Sequence, residues 1–184
     1  MASDRAWTAA TSEHDAVLAD FITHVQRVQP HHWWLSTRAG KWSPAEEALH
    51  VVIAYELGSG AVAAPNGEGA MRMLVSPARA WLSRQFLLPL LLMTERFPRG
   101  AKAPAEVVPS LPEAATLTVA AVAARLVAAA RDAVTSLRAS DERTTTPRRF
   151  VHAYFGPLDP LTTLRLLSAH TRHHTRHFAR RHVR

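Results

Sequence analysis

The sequence of 184 residues contains no cysteine. This absence excludes a disulfide scaffold, a thiolate nucleophile and a zinc site built from thiolates. Any metal site must therefore use histidine and carboxylate ligands. Glycine is also scarce, and neither GxGxxG nor GxxxxGK occurs, so the phosphate-binding turns of Rossmann and P-loop folds are missing.

Long apolar runs are missing as well. The longest, residues 86–93, is interrupted by Pro89 and is far shorter than the roughly 20 residues that a transmembrane helix needs. Residues 1–15 lack the apolar segment of a secretory signal. The sequence therefore predicts a soluble, cytoplasmic protein without membrane contact.

Lysine occurs only at Lys41 and Lys102, so almost all of the 22 basic residues are arginines. No acidic residue follows Asp159, and residues 161–184 carry most of the formal net charge of +7. Such a basic segment suits an anionic partner, or a solvated last helix whose cations complement the negative end of its dipole. The second interpretation is favoured.

Apolar residues recur at three- and four-residue spacing, which predicts helices. Ser43 and Glu46 form a capping box at the start of the second helix, and Asp159 caps the last. Pro89 should kink the third helix. The predicted helices cover about residues 12–29, 43–64, 76–96, 113–138 and 159–182.

The segments between these helices predict irregular connectors. No repeat and no convincing strand pattern is present, and residues 139–157 are expected to be polar and to end in a turn. Trp33, Trp34 and Leu35 are expected to pack onto the core. The fold class is therefore all-α: an antiparallel four-helix bundle with extra short helical or irregular connectors, in a single domain over residues 1–184.

Histidine is abundant, with 11 residues. His170, His174 and His177 fall within roughly 60° of each other on one face of the last helix. Imidazoles at i and i+4 can share a metal ion, whereas His173 points elsewhere. A facing helix must supply a further ligand, and His50 on the apolar face of the second helix is the candidate.

Three neutral imidazoles would leave a fourth coordination position for water or substrate, which is the pattern of a catalytic site. Alternatively, His50 is a hydrogen-bonded core histidine and the histidines of the last helix are solvated. Glu46, one turn before His50, is a candidate catalytic base or ligand-orienting group. Its alternative role is that of the capping acid alone.

Two segments carry a family pattern. WSPAEEALH at residues 42–50 fits W-S-x-x-E-x-x-x-H, while FGPL at residues 155–158 and LLSAHTRHH at residues 166–174 follow in order near the end of the chain. Together they resemble the DinB-like (DNA-damage-inducible) superfamily of metal-binding four-helix proteins.

The resemblance implies a four-helix bundle, often a homodimer, that binds zinc or nickel through three histidines. In this sequence they are His50, His170 and His174. His152 matches a histidine found before the Phe-Gly turn in one branch. His177 replaces the glutamine that usually follows the last motif, so His152 and His177 are expected beside the ligands.

Relatives with this pattern include hydrolases and thiol-dependent S-transferases and isomerases that use a low-molecular-weight thiol such as bacillithiol or mycothiol. The resemblance therefore implies a metal-dependent enzyme that activates water or a thiol against a small-molecule substrate. The alternatives are a non-catalytic metal-binding bundle and a nucleic-acid-binding module using Arg172, Arg176 and Arg180. Nucleic acid is disfavoured because aromatic side chains for base stacking are scarce there.

Overall fold

Helices dominate the computed structural model, which confirms the all-α class. A two-stranded hairpin, β1 (Phe150–His152) and β2 (Gly156–Leu158), precedes the last helix. The described residues are 2–36, 40–63, 71–98, 102–142 and 149–181. In chain order the helices are α1 (Asp4–Gln26), α2 (Pro44–Ala63), α3 (Pro77–Leu82), α4 (Leu88–Thr94), α5 (Leu111–Thr116), α6 (Val119–Asp141) and α7 (Pro160–Arg181).

The four long helices, α1, α2, α6 and α7, enclose the apolar core. α2 packs on α6 and α1 packs on α7, and α7 also contacts α2. Phe21 of α1 and Phe178 of α7 are fully buried and meet edge to face, with ring centroids 5.6 Å apart. Arg125 of α6 makes a bidentate ion pair with Glu56 of α2, which joins these two helices.

Side-chain caps set the helix starts. The Ser43 hydroxyl accepts a bond from the Glu46 N–H, and the Glu46 carboxylate accepts one from the Ser43 N–H at 2.8 Å, so the predicted capping box is confirmed. Asp159 accepts a bond from the Thr162 N–H at the start of α7, also as expected.

Two helix boundaries differ from the sequence prediction. α1 begins at Asp4, eight residues before the predicted start, because Trp7 is buried and donates its indole N–H to Asp141 at 2.8 Å. The alanine-rich helix begins at Val119, where Thr118 caps it, and a short separate helix precedes it.

Pro89 disturbs its helix through a π turn. Residues Ser83–Leu87 are π-helical, and the Leu88 N–H donates to the Ser83 carbonyl oxygen five residues back. Pro89 stands in the first turn of α4, where its missing N–H is tolerated. The wider turn is a known way of passing a local break in the hydrogen-bond ladder.

The prediction that the chain has no strand is wrong at the β1–β2 hairpin. Phe150 pairs with Leu158 and His152 with Gly156 in antiparallel register. Strands of three residues are too short to show an alternating pattern. Gly156 adopts φ +67°, a conformation that favours glycine.

The prediction that Trp33, Trp34 and Leu35 all pack onto the core is correct for Trp33 alone. Trp33 is buried and donates its indole N–H to the Leu117 carbonyl oxygen at 2.7 Å. Trp34 and Leu35 are about half exposed. Consecutive residues of a turn point in different directions, so one of the three faces inward.

No described helix combines the length and apolarity that crossing a membrane requires.

Candidate metal centre

Three histidines from two helices meet at one point inside the bundle. His50 lies on α2, and His170 and His174 lie one turn apart on α7. One ring nitrogen of each can be chosen so that all three lie within 4.8 Å of one another. The Nε2 atoms of His50 and His170 are 3.1 Å apart. The structure therefore brings together the three residues that the sequence pattern singled out.

The buried face of α7 directs its two histidines toward α2. Leu167 and Phe178 are buried, and His174, which lies between them in the sequence, is buried as well. His170, one turn before His174, is partly buried and lines the adjoining cavity. The four-residue spacing places the His170 and His174 ring centroids 4.6 Å apart.

A backbone carbonyl sets the tautomer of His50. Its Nδ1 lies 2.7 Å from the Val107 carbonyl oxygen and must donate the proton, because a carbonyl only accepts. The neutral ring then offers a bare Nε2 to the centre. Burial is the main cause that lowers the pKa of His50 to about 4, and the nearby His174 lowers it further.

A carboxylate sets the orientation of His174. The Glu47 Oε1 atom accepts a bond from His174 Nδ1 at 2.9 Å, which leaves Nε2 of His174 for the centre. Glu47 is 2% exposed, so this contact lies in a poorly solvated environment. A carboxylate behind a ligating histidine fixes its tautomer and raises its basicity as a ligand.

The sequence analysis missed Glu47 and singled out its neighbour. Glu46 and Glu47 are adjacent near the start of α2, and both precede His50 by about one turn. The capping contact with Ser43 holds the Glu46 carboxylate at the helix start. The predicted capping box already assigned the Glu46 carboxylate to the helix start. It could therefore have indicated that Glu47 is the acid able to face the bundle interior.

Burial favours the neutral form of His50, His170 and His173, and metal coordination requires a neutral imidazole. Burial, and then the proximity of His174 and His50, lowers the pKa of His170 well below its usual value. Burial, followed by His174 and His177, lowers the pKa of His173 to about 3.

The donor set fits a divalent metal ion. With Zn–N bonds of about 2.0–2.1 Å in a tetrahedron, two ligating nitrogens stand roughly 3.3 Å apart. The 3.1 Å between Nε2 of His50 and Nε2 of His170 is close to that spacing. His50 already offers a bare Nε2 to the centre, and the bond from Nδ1 of His174 to Glu47 leaves the Nε2 atom of His174 for the same centre.

His152, His173 and His177 surround the three candidate ligands. His177 Nδ1 lies 3.9 Å from the Glu47 Oε1 atom, so it shares the carboxylate that holds His174. His152 stacks on Phe155 with ring centroids 4.8 Å apart, and burial lowers its pKa to about 4. His173 does not join the cluster of three, in agreement with its predicted direction.

Comparison with protein-family models identifies the chain. The model of the DinB superfamily matches residues 13–178, a range that includes all three histidines and Glu47. The chain belongs to the DinB superfamily. Searches of curated proteins and of solved structures found no match.

A cavity of about 970 Å³ opens over the three histidines of this DinB superfamily member. Its size lies at the upper end of the roughly 300–1,000 Å³ range of small-molecule sites. Phe97 packs its ring 5.7 Å from that of His170, and Trp42 packs 4.6 Å from His50, between centroids. These aromatic rings therefore contact two of the three candidate ligands.

Two arginines of α7 form ion pairs with acidic residues of other parts of the fold. Arg172 pairs with Glu13 and Glu95, and Arg176 pairs with Glu95. These contacts engage two of the three arginines that the nucleic-acid-binding alternative would use. The observed partners therefore favour a structural role for both.

Proposed function

We propose that this DinB superfamily member is a metal-dependent enzyme acting on a small molecule by hydrolysis or S-transfer. His50, His170 and His174 would hold one divalent ion, zinc or nickel. A bound ion supplies Lewis acidity that lowers the pKa of a coordinated water or thiol and polarises a carbonyl group. The convergence of three imidazoles in the lining of a cavity is the observation that carries the proposal.

The residues around the centre have separable roles in this proposal. The Val107 carbonyl and the Glu47 carboxylate hold His50 and His174 in the ligating tautomer. Trp42 and Phe97 limit access of water. Because the chain has no cysteine, a reacting thiol must come from a cosubstrate.

We assign the carboxylate that orients a ligand to Glu47. The sequence analysis had considered Glu46 for a base or orienting role. The Ser43 N–H engages the Glu46 carboxylate, and Glu46 is not among the described residues that line the cavity. Its capping role therefore accounts for its position.

Metal analysis of the purified protein tests the proposal directly. We expect about one zinc or nickel ion per chain and its loss in His174→Ala. His31→Ala is the matched control, because His31 is exposed and lies outside the cluster. A stoichiometric ion retained in His174→Ala, or no ion in the unaltered protein after incubation with zinc and with nickel, would contradict the assignment.

An activity screen then separates catalysis from simple metal binding. The protein would be assayed against ester and amide substrates, and against electrophiles with bacillithiol, mycothiol or glutathione as cosubstrate. We expect turnover that a chelator abolishes and that added metal restores. A stoichiometric ion without turnover would favour the alternative of a non-catalytic metal-binding bundle.

We also propose that the chain is a homodimer that contacts through the outer face of α3, the π turn and α4. Trp81, Leu82, Phe86 and Met93 of these elements are at least about half exposed, which is unusual for so many large apolar side chains in one short stretch of the chain. Light scattering should give the mass of a dimer, and Phe86→Asp should give a monomer. Val127→Asp, on the half-exposed surface of α6, is the control.

A further inference from the structure

The cavity over the histidine centre has a basic mouth. Lys41, Arg96 and Lys102 line it and are exposed. They come from two connectors: Lys41 precedes α2, while Arg96 and Lys102 both lie between α4 and the 3-10 turn Ala105–Val107. Cations from two distant parts of the sequence therefore line one cavity, and they include both lysines of the chain.

The ion pairs among the described residues leave these cations without an acidic partner. Within the part of the chain that the structure describes, no side chain of the three forms an ion pair. The acidic residue in the described lining is Glu47, which is buried and bonded to His174. An exposed group of like charges repels itself, and an anion that enters the mouth relieves this repulsion.

Part of the cavity wall is apolar and incompletely covered. Leu87 and Leu90 line the cavity, yet they are 50% and 51% exposed. Leu91 and Phe97 continue the same wall toward His170. An apolar group lying along this wall would remove that surface from water, which is favourable in proportion to the area covered.

We propose that the cavity binds an amphipathic anion, with its charged head group at Lys41, Arg96 and Lys102 and its apolar part along the wall of Leu87 and Leu90. This assignment deepens the proposed function, because it names the substrate class of the same cavity. It requires neither a bound metal ion nor turnover. The apolar part supplies most of the affinity, and the cations select the sign of the head group.

Calorimetry tests the assignment by measuring how the full-length protein binds four probes that share an eight-carbon chain and differ in their head group. Octanoate and octyl phosphate carry an anion, octanol is neutral and octyltrimethylammonium is a cation. We expect at least one anion to bind about tenfold more tightly than octanol, and the cation to bind most weakly. Raising the salt concentration should weaken binding of the anion and leave octanol unchanged. The better anion identifies the head group.

A charge-removing variant locates the head group. In Lys41→Gln/Arg96→Gln/Lys102→Gln, affinity for the preferred anion should fall about tenfold, while affinity for octanol should stay the same. Retained octanol binding also shows that the variant has folded and kept its cavity.

The matched control removes three exposed arginines outside the cavity lining, Arg27→Gln/Arg131→Gln/Arg165→Gln. It should bind every probe as the unaltered protein does. Equal loss of anion affinity in both triple variants would mean that net charge alone attracts the probe, and would overturn the assignment.

Two further results would overturn it: equal affinities for the anions and octanol, or an anion preference that survives in the cavity variant. The second result would place the head group on another partner, such as a bound metal ion. Metal content measured on the same samples keeps the two proposals apart. Charge-selective binding by a protein without metal refutes the proposed function alone, and metal without charge selectivity refutes the ligand class alone.

Discussion

Two adjacent glutamates with different partners shape the candidate metal centre at the scale of single residues. Glu46 bonds the Ser43 N–H at the start of α2, while Glu47 turns inward and bonds His174 Nδ1. The pair therefore offers an internal comparison. One carboxylate supports the helix, and its neighbour determines which nitrogen of His174 faces His50.

Replacing Glu47 should weaken metal binding without removing a ligand. In Glu47→Gln we expect zinc affinity to fall by about 10- to 100-fold, because a neutral amide holds the His174 tautomer less firmly. Competition against a chromogenic chelator measures the change. Glu46→Gln, one residue away, should bind zinc within about twofold of the unaltered protein. Equal losses in the two variants would refute the distinction.

The end of α4 shows how a strained residue is held at the scale of elements. Glu95 adopts φ +54°, which is uncommon for a residue other than glycine. Its carboxylate pairs with Arg172 and Arg176 of α7. These ion pairs join α4, which lines the cavity, to the helix that carries two of the candidate ligands.

Substitutions at Glu95 should separate backbone strain from ion pairing. Both Glu95→Ala and Glu95→Gly lose the ion pairs, but only glycine relieves the left-handed backbone. We therefore expect Glu95→Ala to be less stable than Glu95→Gly by about 1 kcal/mol in urea denaturation. Equal stabilities, or a more stable alanine variant, would show that the backbone conformation at this position is not strained.

Buried neutral histidines make the stability of the whole molecule depend on pH. Burial is the main cause that lowers the pKa of His14, and burial lowers that of His152 to about 4. Below pH 6.5 the unfolded chain binds protons that the folded protein excludes. The free energy of unfolding therefore decreases as the pH is lowered, until the pH reaches the folded-state pKa. Each such histidine contributes at most about 1.4 kcal/mol per pH unit in that interval.

We therefore expect the unfolding free energy, measured with chelator present, to decrease between pH 7 and pH 4. His14→Leu should reduce this slope, because Nε2 of His14 is buried without a hydrogen-bond partner among the described residues. His31→Ala, at an exposed position, should leave the slope unchanged. A slope that is the same in all three proteins would show that His14 does not contribute to it.

A metal ion at the centre should also stabilise the whole molecule, because it joins α2 to α7. A ligand that binds only the folded state adds about 2.7 kcal/mol at 100 times its dissociation constant. Zinc should therefore raise the midpoint of thermal unfolding, and this increase should vanish in His174→Ala. The same increase in that variant would mean that zinc acts elsewhere.

Local features of the sequence were enough to predict the long helices and the three histidines that meet at the candidate metal centre. The capping contacts of Ser43 and Asp159 form within a few residues, so they depend little on the rest of the fold. His170 and His174 share a helix face through backbone geometry alone. His50 is the candidate on the facing helix from its apolar position, and the pattern that resembles the DinB superfamily supports the same residue. The match over residues 13–178 confirms that resemblance.

Long-range contacts decided the features that the sequence left undetermined or assigned wrongly. Trp7 extends α1 because Asp141, far away in the sequence, accepts its indole N–H. Glu47 turns toward His174 because α7 packs on α2. The sequence by itself determined where the capped helices α2 and α7 begin and which histidines can share a face, since capping and backbone geometry act over one or two turns. Only the tertiary structure decided which carboxylate and which cations surround those histidines, since their partners lie on elements that meet only when the chain is folded.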